Sequence, residues 1–137
     1  MVNNDVLRRV RYIFDFNDAK MMAIYGLADY HVSREEVSAW LKSVGDEGYE
    51  NCSDLLLAVF LNGLIIDMRG AKEGPKPVPE KRLTNNMIFM KLKIALSLKA
   101  EDVMAILELA DFKISKHELS AFFRKPDHKH YRDCKDQ

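Results

Sequence analysis

A chain of 137 residues with 47% hydrophobic and 31% charged residues is sized for one ordinary globular core and is too apolar to remain disordered. Its longest apolar run, Leu55 to Leu61, falls far short of the roughly 20 residues that a membrane-spanning helix needs. Net charge is zero, yet residues 1–68 carry −5 and residues 69–137 carry +5; the halves can attract each other or the basic one can meet a polyanion, although two solvated faces are the simpler account.

The start, Met-Val-Asn-Asn-Asp, lacks the basic-then-apolar order of a secretory signal. With two cysteines, Cys52 and Cys134, the expectation is reduced thiols in a cytoplasmic protein. Helix one is expected from about Asn4 to Asp15, with Asn3 or Asn4 as its cap and Val6, Leu7, Val10, Ile13 and Phe14 as one apolar stripe. Asn17-Asp18 then opens helix two, about Ala19 to Ala28, with Met21, Met22, Ile24, Tyr25, Leu27 and Ala28 mostly inward. Ser33-Arg34-Glu35-Glu36 is a capping box that starts helix three, about Arg34 to Ser43, burying Val37, Trp40 and Leu41. A Gly-containing loop, Val44 to Asn51, leads into helix four, about Ser53 to Met68, which is apolar on nearly every face and belongs at the centre of a core or in an interface.

Gly70 to Thr84, with Pro75, Pro77 and Pro79, reads as a semi-rigid linker. Beyond it the chain repeats itself at an offset of 82 residues without a gap. Residues 22–42, MAIYGLADYHVSREEVSAWLK, fall on residues 104–124, MAILELADFKISKHELSAFFR. Asn3-Asn4 fall on Asn85-Asn86, and Tyr49, Cys52 and Asp54 on Tyr131, Cys134 and Asp136. The second copy supplies helices at about Asn86 to Ser97, Glu101 to Ala110 and Lys116 to Arg124, but no counterpart of helix four. Either the chain continues past Gln137, or helix four serves both copies, or a partner fills the gap. The expected fold is all-α: a tandem duplication of a three-to-four-helix unit about a pseudo-two-fold axis, with domains 1–69 and 85–137 joined by 70–84, the last helix of the second copy missing. The two cysteines meet only if both sit beside that axis, and no disulfide is expected.

Asn3-Asn4-Asp5-Val6-Leu7-Arg8, the repeated Leu-Ala-Asp turn, Tyr49…Cys52-Ser53-Asp54 and Pro77-Val78-Pro79-Glu80…Leu83-Thr84-Asn85-Asn86 together resemble the bacterial "domain of unknown function 1456" family, the YehS-like group, over essentially the whole chain. The resemblance implies two copies of a small helical domain in a cytoplasmic bacterial protein. It implies no activity, cofactor or catalytic set, so it brings no site residues with it. Members of that family run past the equivalent of Gln137 into another apolar helix, which favours continuation of the chain.

Leu27-Ala28-Asp29-Tyr30-His31-Val32-Ser33…Val37…Trp40 resembles a helix-turn-helix, whose second helix enters the major groove of DNA. His31 and, in the second copy, Lys113 stand where that motif usually has Gly, Leu27 replaces its usual small residue, and Glu35 and Glu36 would repel phosphate. A capped corner of a helical bundle explains the same residues. Four basic positions recur in both copies: Arg9 and Lys91, Arg11 and Lys93, Arg34 and Lys116, Lys42 and Arg124. Cations so placed suit phosphate contacts at two spaced points, and equally suit a solvated surface. His128, His130 and Cys134 offer zinc-type donors within one tail, without the paired spacing of a structural site. No phosphate loop, acid pair or nucleophile triad is present. The expectation is a non-enzymatic, cofactor-free cytoplasmic module that binds a protein, itself included, through apolar surface; nucleic-acid binding through the two corners is the alternative.

Overall fold

The computed structural model describes residues 1–137 as helices and connecting turns, with no strand. The helices are α1 (Asn3–Phe14), α2 (Asp18–Leu27), α3 (Arg34–Leu41), α4 (Asp54–Arg69), α5 (Asn85–Ala95), α6 (Ala100–Leu109) and α7 (Lys116–Ala121). They form two units, Met1–Leu83 and Thr84–Gln137. The chain is an all-α tandem duplication in which α5, α6 and α7 repeat α1, α2 and α3. No helix is long and apolar enough to cross a membrane.

Local side-chain bonds decide where each helix begins. Ser33 and Ser115 accept from the amides of Glu36 and Glu118, whose carboxylates accept in return from the serine amides; both predicted capping boxes form. Asn17 caps α2 by accepting from the Lys20 amide at 2.8 Å. At the equivalent place in the second copy the chemistry is inverted, with the Asp102 carboxylate accepting from the Lys99 amide at 2.8 Å. The start of α1 departs from expectation. Val2 occupies the cap position and the Asp5 carboxylate takes its amide at 3.1 Å, because the amide groups of Asn3 and Asn4 are engaged elsewhere.

Asn4 is wholly buried. Its Nδ2 donates to the carbonyls of Trp40 (2.9 Å) and Glu50 (2.8 Å), and its Oδ1 accepts from the Cys52 amide (3.0 Å). One amide side chain thus ties the end of α3 to the loop that leads into α4. Asn86 does the same in the second unit, donating to Phe122 (3.0 Å) and Arg132 (2.7 Å) and accepting from Cys134 (2.9 Å). These bonds also explain why α3 and α7 are shorter than their periodicity suggests. Their last carbonyls are spent outward: Trp40 and Phe122 on the asparagines, Ala39 on the Glu50 amide and Ala121 on the Arg132 amide, both at 3.2 Å, and Lys42 on Arg8. The turns between helices repeat as faithfully. The non-glycine residues with positive φ are Asp15 and Asp29, and then Ser97 and Asp111, two pairs at the same offset.

The core of the first unit is built on α4. Leu57 through Leu64 are buried without interruption, as the all-round apolar pattern requires. α4 lies closest to α2: a Cβ built on Gly63 would overlap the Ile24 carbonyl oxygen, so glycine alone permits this approach. Around that contact the Tyr25 ring packs against Trp40 and Phe60, with centroids 5.5 and 5.4 Å apart. Ile13 is a correction: it extends the α1 stripe, yet it is 69% exposed. The buried residues of α1 (Asn4, Val6, Leu7 and Val10) all lie in its first turns, so the stripe outruns the elements that cover it. The proline segment is held to the first unit, with Lys76 donating to the Leu27 carbonyl (2.7 Å) and the Leu83 amide donating to Asp54 (2.9 Å).

Two substitutions probe this arrangement. Asn4→Ala leaves two carbonyls and one amide without their partner and is expected to cost about 3 kcal/mol or more in urea unfolding of the full chain; a loss under about 1 kcal/mol would mean that water replaces the side chain. Gly63→Ala forces backbone apart and is expected to cost about 2 kcal/mol or more, while the same change at Gly26, where an added Cβ meets nothing within 4 Å, is expected to be neutral or stabilising.

Candidate interaction surface

In the first unit α2 is a seat and α4 is its occupant. Ile24 and Tyr25 are fully buried and Leu27 is half-buried. The approach to the seat is fixed by Asn3, whose Nδ2 donates to the Cys52 carbonyl (3.0 Å) and to Asp54 at the first position of α4 (2.7 Å). At the far end Lys20 on α2 pairs with Asp67 on α4 at 2.7 Å. Hydrogen bonds at the entrance, close backbone approach in the middle and an ion pair at the exit define how one helix lies on the other.

In the second unit the equivalent helix is α6. Ile106 and Leu109, the counterparts of Ile24 and Leu27, are 50% and 87% exposed. They lie three residues apart on one face of α6. The entrance is retained: Asn85 donates to the Cys134 carbonyl (3.1 Å) and to Asp136 (2.7 Å). Phe89 stands where the first copy has the fully buried Leu7; it is half-buried, with the Phe123 ring centre at 5.0 Å and Phe122 at 6.3 Å. Helix four, expected at the centre of a core or in an interface, lies in the core, with Leu57 through Leu64 buried; the exposed aliphatic pair lies on α6.

The recurrent cations are mostly engaged close to home. Arg34 pairs with Asp18 at 3.6 Å and Lys116 with Glu101 at 3.0 Å. Lys42 donates to the Glu47 carbonyl at 2.9 Å, Lys93 lies 5.4 Å from the Phe123 ring centre, and an Arg124 nitrogen is 3.4 Å from His128. Arg9 is exposed, while Arg11 and Lys91 are half-buried. In each corner the residue with positive φ is Asp29 or Asp111, two positions before His31 and Lys113, and the second helices span 8 and 6 residues. The corners are thus tight, with an acid bound to the first residue of each second helix.

The metal-type donors do not converge. His128 and His130 have ring centres 5.6 Å apart, and His128 Nδ1 accepts from the His130 amide at 3.0 Å. The Cys134 thiol instead faces the Lys135 carbonyl, and no group of three or more His, Cys, Asp or Glu side chains is placed to hold a metal. Both cysteines are free. Burial pushes the Cys52 thiol up to about 12, and burial also raises Cys134, which the Asp136 charge raises further. Raised values keep both as thiols near neutral pH, the opposite of what a nucleophile needs. Alkylation at pH 8 is expected to reach half-buried Cys134 well before Cys52, which is 1% exposed; equal rates by mass spectrometry would show that the loop held by Asn4 opens freely.

No solved structure matches the chain. Among known sequences it is 43% identical over 138 residues to "Uncharacterized protein YehS" of Escherichia coli (strain K12), a match covering 100% of this chain and 88% of that protein. The family described as "Protein of unknown function (DUF1456)" matches over residues 3–70 and again over residues 85–137, the same two segments that the repeat and the paired asparagines pick out. The chain belongs to that family.

Proposed function

We propose that the chain is a non-enzymatic protein-binding module whose contact surface is the uncovered apolar face of α6, with a polypeptide as its partner. The observation that carries this reading is the exposure of two aliphatic side chains on one face of α6, Ile106 at 50% and Leu109 at 87%. Burial of such an apolar stripe against a polypeptide is favourable, at about 25 cal/mol per Å² removed from water. The raised thiols and the scattered polar groups support binding over catalysis. Bis-ANS fluorescence and sedimentation of the full chain across a concentration series test it. The expected result is probe binding, or concentration-dependent association, that Leu109→Asp removes; a chain that binds no probe and stays monomeric speaks against the reading.

Nucleic-acid binding through the two corners is the second reading, and the recurrence of basic residues in both copies is what favours it. Its measure is duplex DNA affinity that falls steeply with salt and falls again on Arg9→Glu, Arg11→Glu and Lys116→Glu. The local pairing of Arg34 and Lys116 makes that affinity weak even where it is present.

A further inference from the structure

We infer that the loop after α7 binds a phosphate group, free or carried on a small organic molecule, between the Arg124 guanidinium and the His128 ring. This site shares no residue with the α6 face and is independent of the protein-binding reading. The duplication has kept the way this loop is closed and reversed its charge. Residues 42–50 hold one cation, Lys42, and three acids, Asp46, Glu47 and Glu50. Residues 124–132 hold Arg124, Lys125, Lys129 and Arg132 against one acid, Asp127, with His128 and His130 besides. Asp46 falls on His128, Glu47 on Lys129 and Glu50 on Arg132. The amides of Asp46, Tyr49 and Glu50 donate to the carbonyls of Ser43, Asp46 and Ala39 at 3.0, 3.1 and 3.2 Å. Those of His128, Tyr131 and Arg132 donate to Lys125, His128 and Ala121 at 2.9, 2.9 and 3.2 Å. From Phe123 to Arg132 the order of half-buried and exposed residues repeats that from Leu41 to Glu50. The first loop is exposed with α4 in place, so exposure is a property of the loop itself.

The first loop carries its own anion: the Asp46 carboxylate accepts from the Ser43 amide at 3.0 Å. The second has lost it. With His128 in that place, the Lys125 amide is left without this acceptor. The His128 ring instead accepts at Nδ1 from the His130 amide, 3.0 Å away, which puts the proton of the neutral imidazole on Nε2. That nitrogen lies 3.4 Å from Arg124 Nη1, so two donors face each other. Arg124 Nε is buried without a partner, and Arg124, Lys125 and Lys129 pair with no carboxylate. An oxyanion completes such an arrangement by accepting one charge-assisted bond from each donor. Around the pair lies an open cavity of about 620 Å³ lined by Phe123, Arg124, Lys125, Asp127, His128 and Lys129, within the roughly 300–1,000 Å³ of small-molecule sites. Three cations against one acid in that lining favour a doubly charged phosphate over a carboxylate. Their gathering in one cavity favours a single phosphate over a nucleic-acid backbone, which needs cations along a groove.

The test is an amide chemical-shift titration of the full chain by NMR, at constant ionic strength, with inorganic phosphate and separately with adenosine monophosphate. Saturable shifts are expected at Lys125, Lys129 and His130. Tighter binding of adenosine monophosphate assigns the site to a phosphorylated molecule, and equal affinity assigns it to free phosphate. His128→Asp restores the carboxylate of the first loop and is expected to weaken both probes by about tenfold or more, with circular dichroism unchanged. Arg124→Lys keeps the charge but loses the planar fork, and a severalfold loss is expected. Shifts that do not saturate, shifts spread evenly over the basic residues of both units, or affinity that ignores His128→Asp and Arg124→Lys overturn the site. Binding of duplex DNA at this loop with no response to either small probe overturns it in favour of a nucleic-acid surface.

Discussion

The amide of Asn4 is the constraint on which the first unit depends. Three backbone groups, on α3, on the loop and at the entry to α4, meet one side chain that is fully buried. A carboxamide is suited to this because it carries two donors and an acceptor in one plane. Asp at this position lacks the donors, and Leu satisfies none of the three. Because the bonded groups are far apart in sequence, the side chain does what a strand pairing does in other folds: it brings distant backbone segments into register. The position of α4 on α2 follows from it, since the loop that Asn4 holds ends where α4 begins. Tight approach at Gly63 is then possible because the helix arrives at a fixed angle.

The duplication shows which features tolerate change. The asparagine pairs, the left-handed turn positions and the serine capping boxes survive in both copies, whereas several large side chains of the core do not. Leu7 has become Phe89, Trp40 has become Phe122 and Tyr25 has become Leu107. This is the behaviour that packing and hydrogen bonding predict. An apolar core accepts a different set of shapes if its volume is kept, and in the second unit Phe89 packs with Phe122 and Phe123. A buried amide network accepts no partial substitute, because each orphaned donor or acceptor carries its full desolvation cost.

What the sequence disclosed follows the same division. Helices, serine caps and the apolar centre at Leu57–Leu64 were legible because periodicity and capping are local signals. The role of Asn4 was not, since its partners lie 36 to 48 residues away, and a first-turn asparagine reads locally as a cap. A signal was nevertheless present: Asn4 is three residues before Leu7, and Asn86 three before Phe89, so both stand on the apolar stripe. A polar residue on such a stripe, repeated at the duplication offset, marks a buried hydrogen-bonding centre. Ile13 misled for the opposite reason, because a stripe records what a helix offers and not how far its neighbours reach. The site was half legible. The repeat showed that α6 corresponds to α2, but the exposure of aliphatic residues on α6 was legible only with the knowledge that α4 rests on α2.

The contrast between the two seats also explains why the exposed one need not destabilise its own unit. Exposure of Ile106 and Leu109 costs the folded state nothing relative to the unfolded chain, where both are already in water; it only forgoes the gain that Ile24 and Leu27 make. Val103 and Leu119 are buried in the second unit as their counterparts Met21 and Val37 are in the first.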